Sequence, residues 1–502
     1  MSKPIMIEKA KNVSLVVLFI TTVLLLYFFW GNISLDGLKS PSVQVVGKVP
    51  VTVNLLKPDQ ISVNFGSGNY TVLPAGDIWY NDSQVQDSFV EELDRFGPAE
   101  NIWVEEITYD NYQQVMKFTS IWAEFNYNIP ISDFCTKFNM TKPQSYDAIE
   151  TVTAIGYSTA DLGNSLFIYD GKNQRYYRLV AAPSKDSVNK TGNTEFPALI
   201  KSIEAEGYNI YYPISSYSGV ENNTLVPLSV KANLKSFPYR QDTYSYQTEK
   251  ITAIAEQFFG GNFDFVRKIT EENGTVIYMY GYGQNVLIVN TDGSIEYKEE
   301  QLGGNTDRSF SGAMETAIDF VANHGSWESL EGAAQTPYIK EVILDPNKNE
   351  GYRFIFGMEI NGNRLYYEEG DPIVVDVTSG QVTYYKRSII DFDQEDIEAI
   401  EGDAAEDAFS AVNLIAQNSK YIYDILIQSG EIKATPDQVN QPDQTEMFES
   451  IASLVNNMET GYVKLTDEEI TEIQPAWVVA LKNGSEVYFD LYTADPIGYS
   501  KE

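Results

Sequence analysis

The chain has 502 residues, with 35 Lys plus Arg against 71 Asp plus Glu, one His and one Cys. One Cys cannot close an internal disulfide, and one His with one Cys cannot build a His/Cys zinc or iron–sulfur centre. A formal net charge of -36 argues against a nucleic-acid partner, because phosphate binding needs clustered Lys and Arg that release counterions. At roughly 150 residues per domain, the length allows about three domains with cores of their own. The 34 Tyr and 25 Phe within a hydrophobic content of 43% are too many for an acidic disordered tail, and they favour strands.

Residues 1–12 form a short basic tail, with Lys3, Lys9 and Lys11 against Glu8 alone. Val13 to Trp30 follows as an uncharged apolar run, roughly 27 Å long as a helix and enough to span a thin bilayer core. The positive-inside rule keeps the tail in the cytoplasm, which places the bulk of the chain outside a cell membrane that it crosses once. A cleaved signal peptide is the rival reading, but Gly31-Asn32-Ile33-Ser34 offers no small-x-small cleavage pattern. Tyr27 and Trp30 crowd the outer end with Phe28 and Phe29 and read as membrane-interface anchors. Thr21 and Thr22 sit mid-span, placed to bond a partner helix or their own backbone. Without the first 30 residues the chain is more acidic still, which suits solubility and mutual repulsion at an outer surface.

Residues 31–47 form a linker with Gly37, Pro41 and Gly47. An α+β domain is expected over 48–240, with strands at Val49–Leu56, Gln60–Phe65, Trp122–Tyr127, Val152–Tyr157, Ser165–Asp170 and Arg175–Ala181. Its helices are expected at Ser83–Arg95, Tyr109–Met116 and Phe196–Glu206. Over 241–390 a unit repeats: a helix at Thr248–Phe259 and strands at Phe263–Thr270, Val276–Tyr282, Val286–Asn290 and Ser294–Lys298, then a helix at Ser311–Asn323 and strands at Tyr338–Leu344, Tyr352–Glu359, Ile373–Val377 and Gln381–Lys386. The matching turns Asp292-Gly293 and Ser379-Gly380 lie 87 residues apart. A C-terminal α+β domain over 391–502 holds a looser third copy: a helix near Ala404–Ala416, strands at Tyr421–Ile427, Ala476–Leu481 and Val487–Tyr492, and an exposed loop at Ala434–Thr445. The fold class is therefore α+β: one transmembrane helix, then antiparallel sheets each with helices on one face.

Catalytic and metal motifs are scarce. His324 ends an apolar helix ahead of Gly325, where a cationic cap suits the helix dipole better than catalysis does. Cys135 lies among apolar residues and reads as a small buried hydrophobe. Ser67-Gly68, Ser218-Gly219, Ser311-Gly312 and Ser379-Gly380 are not nucleophile elbows, and Gly260-Gly261 and Gly303-Gly304 lack the Gly-Lys-Ser/Thr of a phosphate loop. Asp345, Asn347 and Asn349 have calcium-loop spacing, but Glu350 and Phe356 stand where that loop needs Gly and a bidentate Glu. The acidic pairs Glu91-Glu92, Glu105-Glu106, Glu299-Glu300, Glu368-Glu369 and Glu468-Glu469 read as solvated faces, although a two-carboxylate hydrolase leaves no local signature. Trp477 reads as core rather than a ligand platform. No catalytic residue, metal ligand or cofactor site is expected.

The C-terminal Ile473-Gln474-Pro475-Ala476-Trp477-Val478-Val479, followed by Glu486-Val487-Tyr488-Phe489-Asp490, is similar to the closing "I-x-P-x-W" strand pair of the YycH/YycI group. The hairpins around Gly293 and Gly380 resemble that group's repeated sheets and the PepSY-type fold. These proteins are extracytoplasmic accessory proteins of Gram-positive bacteria. The resemblance implies a non-enzymatic regulator of a sensor histidine kinase in a two-component system controlling cell-wall metabolism. It would contact the kinase through the membrane helix and ectodomain, alongside a sister accessory protein. Two other readings stand beside it: an extracellular module binding a wall component or peptide, and a carboxylate-dependent hydrolase.

Overall fold

The computed structural model describes residues 56–74, 84–95, 102–137, 144–161, 165–181, 195–241, 248–300, 309–324, 335–344, 351–388, 390–392, 395, 405–432, 443–466 and 471–500. The run Val13–Trp30, with Thr21, Thr22, Tyr27 and Trp30, lies outside these residues, as do the loop at 345–350 and most of the expected strand Val49–Leu56. Among the described residues no helix is long and apolar enough to cross a membrane.

Residues 60–227 build a nine-stranded antiparallel sheet. Across it lie Ile102–Ile107, Arg175–Ala181, Ser165–Asp170, Thr151–Ser158, Ser120–Pro130, Gln60–Gly66, Asn69–Pro74, Tyr211–Pro213 and Leu225–Pro227. Strict alternation along Ser120–Pro130 sends Ile121, Ala123, Phe125, Tyr127 and Ile129 into the core, as the period of a strand requires. The helices Gln84–Arg95 and Glu195–Glu206 cover this face, and Phe89 meets Phe196 edge-on at 4.8 Å.

Asp170 closes the hairpin to Arg175–Ala181. Its buried carboxylate accepts bonds from the Thr151 hydroxyl, from Glu150 N at 3.0 Å and from Asn173 Nδ2 at 3.0 Å. Burial pushes this carboxyl up, but the donors outweigh it and leave its pKa below the ordinary aspartate value. A depressed carboxyl stabilises the fold above its unfolded pKa and loses that contribution as pH falls through its folded one. Asp170→Asn is expected to cost about 1.5 kcal/mol at pH 7. The cost fades on acidification, which urea midpoints of parent and variant in increasingly acidic buffers check; a pH-independent difference contradicts it.

The repeat is present as two helix-then-four-strand units. Helix Thr248–Phe259 precedes Arg267–Thr270, Val276–Tyr280, Asn285–Val289 and Ile295–Glu299, and helix Phe310–Asn323 precedes Gln335–Leu344, Gly351–Ile360, Ile373–Thr378 and Gln381–Arg387. The last strands of the two units pair antiparallel, with Tyr297 opposite Tyr385, so the units form one continuous sheet. Ser309 caps the second helix through Gly312 N at 3.1 Å. An extra strand, Asn363–Tyr367, turns back on Gly351–Ile360 and then runs parallel to Val455–Lys464. The latter opens a third antiparallel run, continued by Glu472–Leu481, Glu486–Asp490 and Pro496–Tyr499. These pairings carry thirteen strands from Arg267 to Tyr499 in one sheet, and Phe237–Pro238, paired with Glu472–Leu481, makes the fourteenth.

The expected third copy needs correction. Tyr421–Ile427 is not a strand but part of helix Ser419–Gln428, which buries Ile422, Tyr423, Ile425 and Leu426. Those positions follow helical spacing, which prevails over the β-branched and aromatic composition that favoured a strand. The helix near Ala404–Ala416 is shorter, Ala411–Gln417, and the helix directly before the third run is Gln444–Leu454. In the first unit, Gly260–Phe265 is a 3₁₀ turn rather than the start of a strand.

Candidate functional site

The sheets meet around Arg364. Asn361 and Gly362 both hold positive φ, 49° and 75°, between the paired residues Ile360 and Asn363, the geometry of a two-residue primed hairpin turn. That turn sets the register of Asn363–Tyr367 and aims Arg364 at the junction. Its guanidinium donates Nη1 to Glu459 at 3.0 Å and Nη2 to the Asp59 carboxylate and, at 3.3 Å, to the Asp59 carbonyl. It also lies over the Tyr338 ring at 4.9 Å, a cation–π seat. One cation thus joins the approach to the first strand (Asp59), the repeat sheet (Tyr338) and the third run (Glu459).

Two glycines make room for this arrangement. A Cβ on Gly357 would lie 2.4 Å from Tyr338 Cζ, and one on Gly461 would lie 2.6 Å from the Arg364 carbonyl. The second close approach is what lets Asn363–Tyr367 lie against Val455–Lys464.

More charge surrounds the centre. Lys57 pairs with Glu359 at 3.3 Å, and Lys340 with Asp371 at 3.1 Å. Tyr366 donates its hydroxyl to Glu459, and Tyr488 donates to Glu486 at 2.9 Å. Burial alone would push Arg364 down, but the fields of Asp59 and Glu459 outweigh it and hold the guanidinium charged, well above its ordinary pKa. Burial pushes the Asp59 carboxyl up against the pull of Arg364, and it pushes Glu486 up against Lys340. The result is a bipolar, hydrogen-bonded junction whose carboxylates are engaged by cations and hydroxyls. Sequence reading missed it because Asp59 and Arg364 are 305 positions apart.

A second cluster occupies the other face of the N-terminal sheet. Tyr176 stacks on Tyr112 at 4.3 Å and on Tyr169 at 4.7 Å, Tyr109 leans on Tyr176 at 5.6 Å, and Tyr112 meets Trp122 edge-on at 5.0 Å. Tyr109 is 52% exposed and Trp103, on the neighbouring edge strand, 68%. Glu124 lies on this face, bonded by Gln60 Nε2 at 2.8 Å, and burial pushes its carboxyl up.

The sequence-selected residues are dispersed. His324 does cap its helix, its backbone N–H reaching Phe320 O at 3.0 Å. Its ring stacks on Phe320 at 4.0 Å, packs on Phe258 at 4.6 Å and places Nδ1 2.8 Å from the same carbonyl. Burial lowers its pKa, which disfavours the expected cationic form, and the ring lies wedged between the two repeat helices. Cys135 is buried in helix Ile131–Lys137. Trp477 is fully buried, with Nε1 donating to Phe409 O at 2.9 Å. Two acidic residues read as solvated are buried: Glu92, and Glu368, which accepts from Thr466 N at 2.9 Å. Among the described residues no group of His, Cys, Asp and Glu could hold a metal ion.

These features define a mixed α+β protein of antiparallel sheets and covering helices, tied together by a buried ionic junction. Its fold is similar to that of YycH from Bacillus subtilis. The crystal structure of that protein matches with a TM-score of 0.52 at 11% identity, over 88% of this chain and 99% of that one. An uncharacterized protein from Eubacterium rectale matches with a TM-score of 0.33 at 14% identity, over 58% of this chain and 88% of that one, which adds nothing to the assignment. No family model matches the chain, and no curated protein matches it.

Proposed function

We propose that the chain is a membrane-anchored extracytoplasmic accessory protein, built of PepSY-like units, that modulates a sensor histidine kinase of a two-component system controlling cell-wall metabolism. The observation that carries this reading is the YycH-like course of the chain over 88% of its length, together with the resemblance of its closing strand pair to that group. The Arg364 junction supports it in physical terms. A regulator acts through differential contacts with two states of its target, and a body whose two large sheets share one ion network passes a contact on one sheet to the other. In this reading Val13–Trp30 is the anchor, Thr21 and Thr22 face the kinase helix, Tyr27 and Trp30 sit at the outer interface, and a sister accessory protein shares the complex.

The test is an in-membrane crosslink and pull-down of the full chain, beside a version whose Val13–Trp30 is replaced by Leu/Ala of equal length. Recovery of a sensor kinase with the native span and its loss with the replacement is the expected result. No kinase with either chain rejects the reading in favour of the second one, a module holding a wall component or peptide. The tyrosine cluster with exposed Trp103 and Tyr109 favours that alternative, since exposed aromatic rings are suited to sugar and peptide contacts.

A further inference from the structure

We infer that the terminal strand of the large sheet, Arg267–Thr270, is a self-complementary edge on which a second copy of this chain adds antiparallel. Among the described residues the strand pairs only with Val276–Tyr280, all four of its residues are exposed, and it therefore presents one side that no described strand covers. The hairpin fixes which groups face outward. Glu271 N donates to Thr275 O at 2.9 Å, so Glu271, Ile269 and Arg267 direct their backbone groups inward. By the alternation of an antiparallel ladder, Lys268 and Thr270 direct theirs away from the sheet.

Pairing two copies through those outward groups sets Lys268 against Thr270 of the second copy and the reverse. The twofold axis then passes through Ile269. In that register Arg267 faces Glu271 of the second copy twice, and Ile269 meets Ile269 at the close, non-hydrogen-bonded position. Ile269 shares its sheet face with its cross-strand neighbours Ile277 and Ile288, which are half-buried. Phe265, 75% exposed, comes to lie against the Glu272–Gly274 turn of the second copy. Opposite charges thus fall opposite one another from a single short sequence, Arg267-Lys268-Ile269-Thr270-Glu271-Glu272.

The net charge of -36 opposes self-association, but this edge is locally neutral. At physiological ionic strength charges more than about 8 Å away are screened. Strand addition over so short an edge buries less surface than a standard stable interface, so the dimer is weak and concentration-dependent.

Sedimentation of the full chain over a concentration series at physiological salt tests this. The expected result is growth from the 56.5 kDa chain mass to twice that value. Arg267→Glu and Glu271→Arg, each alone, place like charges opposite one another twice and are expected to weaken the dimer about tenfold or more. The two variants mixed in equal amounts restore both ion pairs and the dimer. Thr270→Pro removes an outward N–H without touching the internal ladder and is expected to abolish the dimer. Circular dichroism confirms that each variant keeps its fold. A single 56.5 kDa species throughout, or a dimer indifferent to the single charge variants, or single variants that fail to complement when mixed, overturns the inference.

Discussion

Arg364→Met is expected to destabilise the folded chain by about 3 kcal/mol, because it leaves the buried Asp59 carboxylate and the half-buried Glu459 carboxylate without their cation. The side chain is only 14% exposed, and Asp59 only 10%, so water cannot take over its role. Arg364→Lys is expected to recover little of that loss. An ammonium cannot serve two carboxylates and a carbonyl with one planar fork while lying flat on Tyr338. The origin of the cost is testable in the same series. Combining Arg364→Met with Asp59→Asn and Glu459→Gln removes the uncompensated charge and is expected to return most of the stability, since an ion network can be replaced by neutral groups at small net cost. Urea unfolding at pH 7 measures all three. A Met variant within about 1 kcal/mol of the parent, the range of exposed ion pairs, would mean the junction is solvated and does not bind the sheets.

The second large effect comes from backbone proximity. A methyl at Gly461 would lie 2.6 Å from the Arg364 carbonyl, and a carbonyl cannot rotate away as a side chain can. Gly461→Ala is therefore expected to push Val455–Lys464 off Asn363–Tyr367 at a cost of about 2–3 kcal/mol. That parallel pairing, Leu365 to Tyr462 through Tyr367 to Lys464, joins the third run to the repeat sheet. The expected signature is faster amide exchange at Leu365–Tyr367, whereas the remote hairpin at Asp170 keeps its protection. Uniform loss of protection across the chain would show that the glycine matters for global stability and not for this seam.

Much of the architecture was legible because strands and amphipathic helices write their period into local sequence. The helices Tyr109–Met116 and Thr248–Phe259 and the strands Ser165–Asp170 and Arg175–Ala181 stand where alternation and helical spacing put them. The strand Asn363–Tyr367 was missed, although Asn361-Gly362 before it is a strong two-residue hairpin signal. The helix Gln444–Leu454 was hidden by the Pro- and Gln-rich loop reading before it, although Asp443 with Glu446 spells an N-terminal cap; Asp443 accepts from Thr445 N at 2.8 Å and Glu446 N at 3.1 Å. The β-branched and aromatic content of Tyr421–Ile427 spells a strand, whereas the buried positions of the helix Ser419–Gln428 keep helical spacing. The junction itself left one trace, a lone Arg in the apolar run Arg364-Leu365-Tyr366-Tyr367. Its partners are set by tertiary pairing, which no local period encodes.

We propose that this body acts on a sensor kinase through its N-terminal span. The most direct test is the autophosphorylation rate of the kinase in lipid vesicles, measured alone, with the native chain, and with the chain whose Val13–Trp30 is replaced by Leu/Ala. The native chain is expected to shift the rate, and the replaced span to abolish the shift while the rest of the chain stays folded. An unchanged rate with the native chain, or an equal shift with the foreign span, would contradict it.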